Sequence, residues 1–394
     1  MIQLDEKISE AAEVSRDAMK PRICMPTWRG FARMPFQCNR YEAQDVLCGL
    51  DTVDLLALEP RPGFRFRERW LRKLIWKDMT RQLVFVNPGL RPVRLTKEYD
   101  LFIAVCQNMW DLLYVNGVQG WRDHCRTSVL WLDELYVSGL ARHKYWLPAL
   151  AQFDHIALGH ESSVAALSRI LGRKCHWVPT AVDVIRFNPY PNPPDRVIDV
   201  LSIGRRFEGI HDALRKATAQ QRIFYVYDTL IGTSVKVRDY SEHREMLANM
   251  VKPSKFFAVG PGMLGEAGMG AEPIVGLRFY EGTAAGAVLI GQSPKCPAFQ
   301  TLFGWPDVVI EMHPDGSDTL EVLRDLMADP DRMRAISRRN AFEAAHRHDW
   351  VYRWKQIYQL AGLSPTPAMK SREQRLHALA ELTAEQEVPA ALLS

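Results

Sequence analysis

The sequence predicts an α/β protein with two domains that face each other across a cleft. Its 394 residues are more than one compact core of ordinary size holds. Short apolar strands alternate with amphipathic helices, which is typical of largely parallel sheets covered by helices. This alternation stops once, at residues 188–194, where four prolines in seven residues exclude a helix or a central strand. We interpret that segment as the linker between the domains.

Strands and helices follow one another in the same rhythm on both sides of the linker. In the first half, a helix is predicted at Glu161–Leu171 and strands at Thr52–Leu58, Leu83–Val86, Leu101–Val105, Ser128–Leu132, His155–Leu158 and His176–Pro179. In the second half, strands are predicted at Val197–Ile203, Ile223–Tyr227, Phe256–Val259, Val288–Ile290 and Val308–Glu311. The predicted helices there are Glu208–Ala219, Glu242–Val251, Leu277–Ala285, Thr319–Met327, Arg332–His346 and Trp350–Leu360.

The elements set the expected domain boundaries. Residues 1–187 form the first domain and residues 188–349 the second. The helix at 350–362 carries a stripe of aromatic residues that needs a surface to pack against. Residues 363–394 are rich in Pro, Ala and Glu, and we expect a loosely attached tail with one short helix.

Composition and charge narrow the class of protein. The formal net charge of +4 is mild, so we expect no nucleic-acid partner. The seven cysteines are scattered without a C-x-x-C pair, which indicates neither a disulfide framework nor a zinc site. Met1–Lys20 lacks the apolar core of a secretion signal, and no apolar run reaches the roughly 20 residues of a membrane helix. We expect a cytoplasmic protein, at most peripheral at the inner face of a membrane.

A glycine and two arginines follow the first strand of the second half. Ligands of open α/β sheets bind beyond the carboxyl ends of the strands. The strand Val197–Ile203 leads into Gly204, Arg205 and Arg206, and the helix Glu208–Ala219 begins just after them. Glycine allows close approach of a ligand, a helix N-terminus favours an anion, and arginine binds phosphate oxygens in pairs. The pattern indicates a phosphate site, and a surface arginine pair at an ordinary turn fits it equally well.

A short helix of small residues carries the most specific pattern in the chain. The segment Gly276–Gly291 contains Arg278, Tyr280 and Glu281. Small residues allow this helix to lie close to a ligand, where a carboxylate can accept two hydrogen bonds from the vicinal hydroxyls of a ribose. The alternative is a Glu281 on the helix surface that pairs with Arg278 one turn earlier. The preceding residues 260–270 contain five glycines, in a spacing that excludes Walker and dinucleotide-binding fingerprints.

Two adjacent carboxylates end a strand in the first half. Asp133 and Glu134 follow the strand Ser128–Leu132, so they lie at its carboxyl end. Carboxylates in this place could orient an acceptor hydroxyl or remove its proton. A pair of acids that caps the next helix is an equally good interpretation. Ser162, at the start of the helix Glu161–Leu171, is expected to cap that helix.

Together these segments resemble the donor domain of the family-4-like, group 1 glycosyltransferases. Asp199–Arg206, the glycine-rich segment and Arg278–Gly291 carry the resemblance, and the last has the R-x-x-E-x-x-A-x-G pattern of the branch related to spore-maturation proteins. His176–Asp183 with Phe187–Pro189 resembles the V-P-N-G-V-D…F-x-P segment at the domain junction of that family. The resemblance covers residues 150–362 well and the first 150 residues only in general pattern.

The resemblance implies a fold and a reaction. The fold is GT-B, with two Rossmann-like domains facing a cleft and a C-terminal helix, after Trp350, crossing back to the first domain. The reaction is the transfer of a hexose from a nucleotide diphosphate sugar to a hydroxyl of a glycan, glycolipid or small molecule, with retention of configuration. No metal cofactor is expected, because arginines and helix N-termini can neutralise the leaving pyrophosphate.

The resemblance also assigns roles to individual residues. Glu281 takes the place of the glutamate that holds the ribose, and Arg205, with Arg206, that of the cations on the pyrophosphate. The sugar-facing glutamate of the family pattern falls on Pro273, so the neighbouring Glu272 is the candidate for that catalytic role. The family lysine after the Gly-Arg pair is absent, and Arg278 is a candidate replacement. These departures leave open a degenerate GT-B-like glycan-binding or scaffold protein. A sugar-nucleotide epimerase is a second alternative, although the sequence shows no cluster of His and carboxylate residues that would mark its donor site.

One basic segment suggests a membrane contact. The segment Phe64–Lys77 places its apolar residues on one predicted helical face and its basic residues around the rest. The predicted apolar face consists of Trp70, Leu71, Leu74 and Ile75, and the basic residues are Arg67, Arg69, Arg72, Lys73 and Lys77. Such a helix can lie on an anionic bilayer. It can equally well be a domain helix that packs its apolar face inside.

Overall fold

Two parallel β-sheets organise the chain. The structure, a computed structural model, describes residues 21–31, 34–77, 80–229, 236–262 and 272–385. Met1–Lys20 and most of the glycine-rich segment lie outside the described residues. The strands are β1 (Ile23–Thr27), β2 (Val53–Ala57), β3 (Val93–Arg94), β4 (Tyr99–Cys106), β5 (Val118–Gln119), β6 (Cys125–Leu132), β7 (His155–Leu158), β8 (His176–Trp177), β9 (Ile198–Ser202), β10 (Tyr225–Tyr227), β11 (Ser254–Val259), β12 (Val288–Gly291) and β13 (Val309–Glu311).

Helices connect the strands and cover the sheets. The α-helices are α1 (Cys38–Leu50), α2 (Phe64–Trp76), α3 (Leu112–Val115), α4 (Trp121–His124), α5 (Leu147–Leu150), α6 (Glu161–Leu171), α7 (Val184–Phe187), α8 (Glu208–Ala219), α9 (Tyr240–Val251), α10 (Leu277–Ala284), α11 (Pro297–Phe303), α12 (Thr319–Met327), α13 (Pro330–Arg347), α14 (Trp350–Ala361) and α15 (Pro367–Glu385). Short 3₁₀ helices lie at Pro35–Gln37, Arg81–Phe85, Met109–Asp111 and Val137–Trp146. Among the described residues, no helix is both long and apolar enough to cross a membrane.

The strand order reverses once in each sheet. The six-stranded first sheet has the order β2-β1-β4-β6-β7-β8, and the five-stranded second sheet has the order β10-β9-β11-β12-β13. The paired strands of both sheets run parallel. The reversal lies between β1 and β4 in the first sheet and between β9 and β11 in the second. At such a point the loops diverge and leave a crevice for a ligand, so residues that follow these four strands are the expected ligand contacts.

Two assignments in the first domain differ from the sequence prediction. The patterns do not predict β1, because its Pro26 argues against a central strand. β1 tolerates this proline because it pairs with β4 only through Ile23 and Cys24, so Pro26 lies beyond that pairing. The predicted strand Leu83–Val86 is wrong. Most of it lies in the 3₁₀ helix Arg81–Phe85, whose preceding threonine accepts a side-chain hydrogen bond at the helix start.

The helix α14 joins the two domains. Its Trp350 and Trp354 rings pack against Trp131 of β6, with ring centroids 5.5 Å and 5.9 Å apart. The Trp354 indole N–H donates to the carbonyl of Ala43 (3.1 Å), and the Tyr358 hydroxyl is hydrogen-bonded to a carboxylate at the end of α1. The predicted aromatic stripe is therefore buried against the first domain, and the crossing helix is confirmed.

The segment after α14 is not the loosely attached tail that its composition suggests. The helix α15 has 19 residues, and Met369, Leu376 and Ala380 on it have no exposed surface. Arg372 binds the carboxylates of Asp183 and Asp349, each at 2.7 Å. Residues 367–385 are held in place because their few apolar residues share one helical face and because Arg372 meets two acidic partners outside the helix. The rest of the predicted tail, residues 386–394, lies outside the described residues.

The helix α2 buries a narrower face than the sequence predicts. Phe64, Glu68, Leu71 and Ile75 are buried, whereas the Trp70 side chain, predicted on that face, is 50% exposed. The prediction for Trp70 is wrong, because the buried stripe passes through Glu68 and Leu71 and leaves Trp70 outside it. Glu68 can be buried because an arginine compensates its charge. Arg72 donates to Glu68 at 2.7 Å and to the hydroxyl of a neighbouring tyrosine. The other side of α2 therefore presents aromatic and basic residues to solvent.

Candidate active site

The two carboxylates predicted at the end of β6 lie at the carboxyl edge of the first sheet. The Asp133 N–H donates to the carbonyl of Cys106 (2.9 Å) and the Glu134 N–H to that of Gln107 (2.7 Å), so both extend the pairing of β4 with β6. The side-chain amide of Gln107 donates to Asp133 Oδ2 (3.3 Å). Position 159 requires glycine, because a Cβ atom on Gly159 would lie 2.4 Å from the Asp133 carbonyl oxygen.

Burial raises the pKa of both carboxyl groups towards neutral pH. Burial raises the pKa of Asp133 to about 6, against the opposing charge of Arg40. Burial, and then the Asp133 charge, raise the pKa of Glu134 to about 7, while Gln107 and Arg205 act in the opposite direction. A group with a pKa near the working pH can take up and release a proton readily. The pair is therefore suited to acid–base chemistry.

The loop after β9 supplies the second part of the site. Gly204 has a φ of +85°, a backbone conformation that glycine adopts without strain, and its N–H donates to Asp228 Oδ2 (2.6 Å). Arg206 donates to the Asp228 carbonyl (2.9 Å) and lies over the Tyr227 ring, so it is held within its own domain. Arg205 is exposed on the same loop, three residues before the start of α8.

Arg278 joins this loop to α10. Its Nε donates to the carbonyl of Ile203, directly before Gly204, at 3.1 Å, and its guanidinium also binds Glu281 at 2.5 Å. Three of the predicted donor-site residues, Gly204, Arg205 and Arg278, thus come together at the carboxyl edge of the second sheet. Two guanidinium groups beside the N-terminus of α8 suit a phosphate.

The two domains meet beside the carboxylate pair, because Glu272 of the second domain is hydrogen-bonded to the backbone of the loop that follows Glu134. The Arg205 charge in the second domain acts on the pKa of Glu134 in the first. Burial, with a smaller effect of the Asp133 charge, raises the pKa of the Tyr280 hydroxyl in the second domain. The predicted carboxylate pair and the predicted arginine loop therefore line one cleft.

Glu281 lies at the centre of a buried ionic cluster. Its side chain has no exposed surface, and its carboxylate binds both Arg244 and Arg278. Arg244 also binds Glu42 of the first domain at 2.7 Å. Burial alone would raise the pKa of Glu281, but the Arg278 and Arg244 charges lower it. In this arrangement the carboxylate oxygens of Glu281 are bound to arginines, so they are not available to a ribose. The alternative pairing with Arg278 is observed, but its expected position on the helix surface is wrong, because Glu281 is buried.

Glu281→Ala is expected to destabilise the protein, because it removes one partner from a buried ion pair. Such a loss typically costs about 3–5 kcal/mol, since Arg244 stays buried with less compensation. Urea unfolding should give a free energy of unfolding lower by about 3 kcal/mol. Glu245→Ala, on the exposed face of α9, is the matched control and should change that free energy by less than about 0.5 kcal/mol. Equal stability of the two variants would contradict the structural role.

Glu272 connects the two domains beside the carboxylate pair. Its carboxylate accepts hydrogen bonds from the backbone N–H groups of Val137 (3.1 Å) and Ser138 (2.7 Å) and from the hydroxyl of Ser162 (3.3 Å). Burial would raise the pKa of Glu272, but the Ser138 and Val137 N–H groups lower it. The residue predicted to face the sugar is thus bound to a loop of the first domain.

The structure excludes two capping roles. The element after Asp133 and Glu134 is the 3₁₀ helix Val137–Trp146, whose first turn has no side-chain cap. The carboxylate pair is therefore no helix cap. The expected cap of α6 by Ser162 is wrong too, because the cap position is His160, without a side-chain hydrogen bond, and the Ser162 hydroxyl donates to another domain.

Sequence patterns miss several residues of the site. Gln107 and Asp228 directly follow β4 and β10, so their position after a strand could have identified them. Arg244 and Glu42 lie inside helices, where no pattern distinguishes them from solvated charges.

Among the described residues, no group of three His, Cys, Asp or Glu side chains is placed to hold a metal ion.

Comparison with known proteins adds a family match over part of the chain and a fold. Residues 266–359 match the family described as "Glycosyl transferase-like". No curated protein matches the sequence. Among solved structures, a glycosyltransferase from Rickettsia africae ESF-5 is 8% identical, with a TM-score of 0.51 over 87% of this chain and 98% of that chain.

Two further solved structures are similar at lower TM-scores. An alpha-glucosyltransferase in complex with UDP and a 13-mer DNA containing a HMU base is 10% identical, with a TM-score of 0.49 over 87% of this chain and all of that chain (100%). HepE of Anabaena in complex with UDP is 12% identical, with a TM-score of 0.46 over 86% of this chain and 99% of that chain.

Fold and family pattern agree with the expectation from the sequence, whereas the branch related to spore-maturation proteins stays a prediction. Two parallel α/β domains, a cleft between them and the crossing helix α14 are the elements of the GT-B architecture. The chain therefore has the GT-B fold of glycosyltransferases, and its residues 266–359 carry the sequence pattern of the glycosyl transferase-like family.

Proposed function

We propose that the protein is a glycosyltransferase that moves a hexose from a nucleotide diphosphate sugar to a hydroxyl acceptor. The observation that carries this proposal is that the carboxylate pair ends a strand of the first sheet, Arg205 follows a strand of the second, and Glu272 joins the two domains beside the pair. Transfer between two bound substrates needs one site for the leaving nucleotide and one for the incoming hydroxyl. The cationic loop of the second domain suits the first, and the carboxylate pair of the first domain suits the second.

The donor pyrophosphate binds at the loop after β9. Gly204 allows the phosphate to approach the backbone, Arg205 and Arg278 supply guanidinium groups, and the first turn of α8 supplies N–H donors. Negative charge develops on the departing nucleoside diphosphate as the glycosidic bond breaks. Fixed cations stabilise that charge more in the transition state than in the ground state, so we propose a transfer that needs no metal.

The acceptor hydroxyl is oriented by Asp133 and Glu134. Its oxygen forms a bond to the anomeric carbon on the same face that the donor phosphate leaves, as the bond from that carbon to the phosphate oxygen breaks, and its proton passes to Glu134. We carry retention of configuration over from the resemblance. Glu281 is buried and binds Arg278, so we assign it the positioning of that arginine instead of contact with the donor. Tyr280 is buried against other rings of its own domain, so we assign it no contact with the donor. Glu272 keeps the two domains together at the cleft.

Donor hydrolysis without an acceptor tests this proposal against a glycan-binding scaffold and an epimerase. The protein is incubated with UDP-, GDP- and dTDP-sugars, and the release of nucleoside diphosphate is measured. We expect slow release from one nucleotide class, and thermal stabilisation by the same class, because a ligand that binds only the folded state stabilises it. An epimerised sugar without nucleoside diphosphate release would favour the epimerase. Neither release nor stabilisation with any donor would favour the scaffold.

We also propose that the outer face of α2 contacts an anionic membrane surface. Phe66 and Trp70 are 67% and 50% exposed on this face, and Lys73 lies over the Trp70 ring. Exposed aromatic rings among basic side chains suit the interface of an anionic bilayer.

Sedimentation with vesicles tests the membrane contact. The protein should pellet with vesicles of phosphatidylcholine and phosphatidylserine at low salt and be released at high salt, because the Debye length falls from about 10 Å at 0.1 M to about 3 Å at 1 M. Trp70→Ser should reduce pelleting, whereas Phe224→Ser, an equally exposed ring in the second domain (54%), should not. Equal pelleting with pure phosphatidylcholine would contradict the proposal.

A further inference from the structure

A large cavity opens at the carboxyl edge of the first sheet, between α2 and the loops after β1 and β4. Its volume of about 1140 Å³ exceeds the roughly 300–1,000 Å³ of ordinary small-molecule sites. The strand order of this sheet reverses between β1 and β4, which is where open α/β sheets bind their ligands. Trp28 follows β1 and Gln107 follows β4, and both line the cavity.

The wall of the cavity combines aromatic rings with cations. Seven of its seventeen residues are aromatic and five are Arg or Lys, and all the basic ones come from α2 and the residue after it. The Trp76 and Trp110 rings stack at 6.5 Å between centroids, and the Trp76 side chain is 56% exposed. A ligand of this cavity therefore meets an extended apolar surface with a basic border.

The positive charge of the wall is not neutralised internally. The two carboxylates in the wall already bind arginines, Glu68 to Arg72 and Asp111 to the buried Arg40, each at 2.7 Å. In the part of the chain that the structure describes, no ion pair involves Arg69 or Lys77. The α2 side of the cavity thus favours an anionic group on the ligand.

Two buried polar atoms of the wall lack a partner among the described residues. They are the indole Nε1 of Trp28 and the side-chain oxygen Oε1 of Gln107, whose side chains are only 2% and 4% exposed. A hydroxyl group can accept from an indole N–H and donate to an amide oxygen, so a hydroxylated ligand would complete either group. Gln107 also donates to Asp133, so it forms the boundary between the cavity and the carboxylate pair.

We propose that this cavity binds the acceptor, and that the acceptor is a hydroxylated anionic amphiphile, a phosphate joined to an apolar chain or ring. The inference rests on the proposed glycosyl transfer. The phosphate binds Arg69, Lys73 and Lys77, and the apolar part packs on the ring of Trp76 and its neighbours. The hydroxyl-bearing end reaches Gln107 beside the carboxylate pair. A neutral glycan would leave the cations unused, and free phosphate would leave the aromatic wall uncovered.

Tryptophan fluorescence of the whole protein, titrated without donor, tests the inference, because three tryptophans line the cavity. Dodecyl phosphate below its micelle concentration represents a lipid-like ligand, and phenyl phosphate a soluble one. Saturable binding of the first alone assigns a lipid-like acceptor, and binding of both with similar affinity assigns a soluble one. Equal binding of octyl glucoside or of inorganic phosphate, or tighter binding of an oligothymidylate, would overturn the inference.

Matched variants locate the binding. Lys73→Gln combined with Lys77→Gln should weaken the binding of the preferred phosphate ligand by about tenfold, the loss expected for a charged hydrogen bond. Arg215→Gln with Lys216→Gln removes the same charge from the exposed surface of α8 and should leave binding unchanged. Trp76→Ser should also weaken binding, whereas Trp70→Ser, outside the wall, should not. Equal loss in the paired variants would overturn the assignment to this cavity.

The failure of this inference is distinguishable from failure of the proposed function. Nucleotide-sugar hydrolysis by the unmodified protein, without saturable binding of either phosphate ligand, would refute the cavity assignment and leave glycosyl transfer intact. Saturable phosphate binding that depends on Lys73, Lys77 and Trp76, without reaction of any nucleotide sugar, would support the cavity as a binding site and refute the proposed transfer.

Discussion

Arg205→Ala should lower kcat by about 10²–10³-fold, the usual cost of removing one group that stabilises developing charge. Arg206 is tied to the Asp228 carbonyl, whereas the Arg205 side chain is exposed on the loop beside α8. The charge it meets is larger in the transition state than in the bound donor. The KM for the nucleotide sugar should therefore change much less than kcat, which steady-state kinetics with varied donor would measure.

Two controls accompany this variant. Arg222→Ala removes an exposed arginine that precedes β10, at the edge of the second sheet opposite the loop, and should leave kcat within about twofold. EDTA should change the rate of the unmodified protein little, because the proposed mechanism neutralises the leaving group with fixed cations. A rate that collapses with EDTA and survives Arg205→Ala would refute metal-independent transfer.

Glu134→Gln should lower kcat by about 10²–10⁴-fold, the range of general acid–base catalysis. The glutamate must be ionised to accept the hydroxyl proton, and its pKa is raised to about 7 by burial and the Asp133 charge. The rate of the unmodified protein should therefore rise with pH and level off above a midpoint near 7. In the variant this rise should disappear. A variant with the parent pH profile and rate would contradict the assignment of Glu134 as base.

Although Glu134→Gln should lower kcat, it should raise the free energy of unfolding at alkaline pH. A carboxyl whose pKa is raised on folding stabilises the protein below its unfolded value, near 4.5, and that contribution is lost as pH rises through about 7. At pH 8 Glu134→Gln should therefore be more stable than the parent by on the order of 1–3 kcal/mol, and at pH 4 about equally stable. Urea unfolding at both pH values measures this, with Glu245→Gln on the exposed face of α9 as the control.

Local signals in the sequence predict several helices of both domains. The helices α6, α8 and α12 have the predicted bounds, because apolar spacing and helix ends are encoded within a few neighbouring residues. Gly172, with a φ of +65° at the end of α6, is such a local stop signal. The signals fail where tertiary contacts decide. β1 contains a proline that only its limited pairing tolerates, and α15 is held by Arg372, whose partner Asp183 lies 189 residues away.

By itself, the sequence determined the fold class, the glycine–arginine loop at a strand end and the two carboxylates of β6, since each depends on residues adjacent in the chain. The role of Glu281 was decided only by the tertiary structure, which buries it with Arg244, itself bound to Glu42, 202 positions away. The aromatic and basic cavity also depends on the tertiary structure, because its wall combines α2 with residues that follow β1 and β4. The sequence specifies the chemical type of each side chain, but its charge state and its access to a ligand depend on the neighbours that folding brings to it.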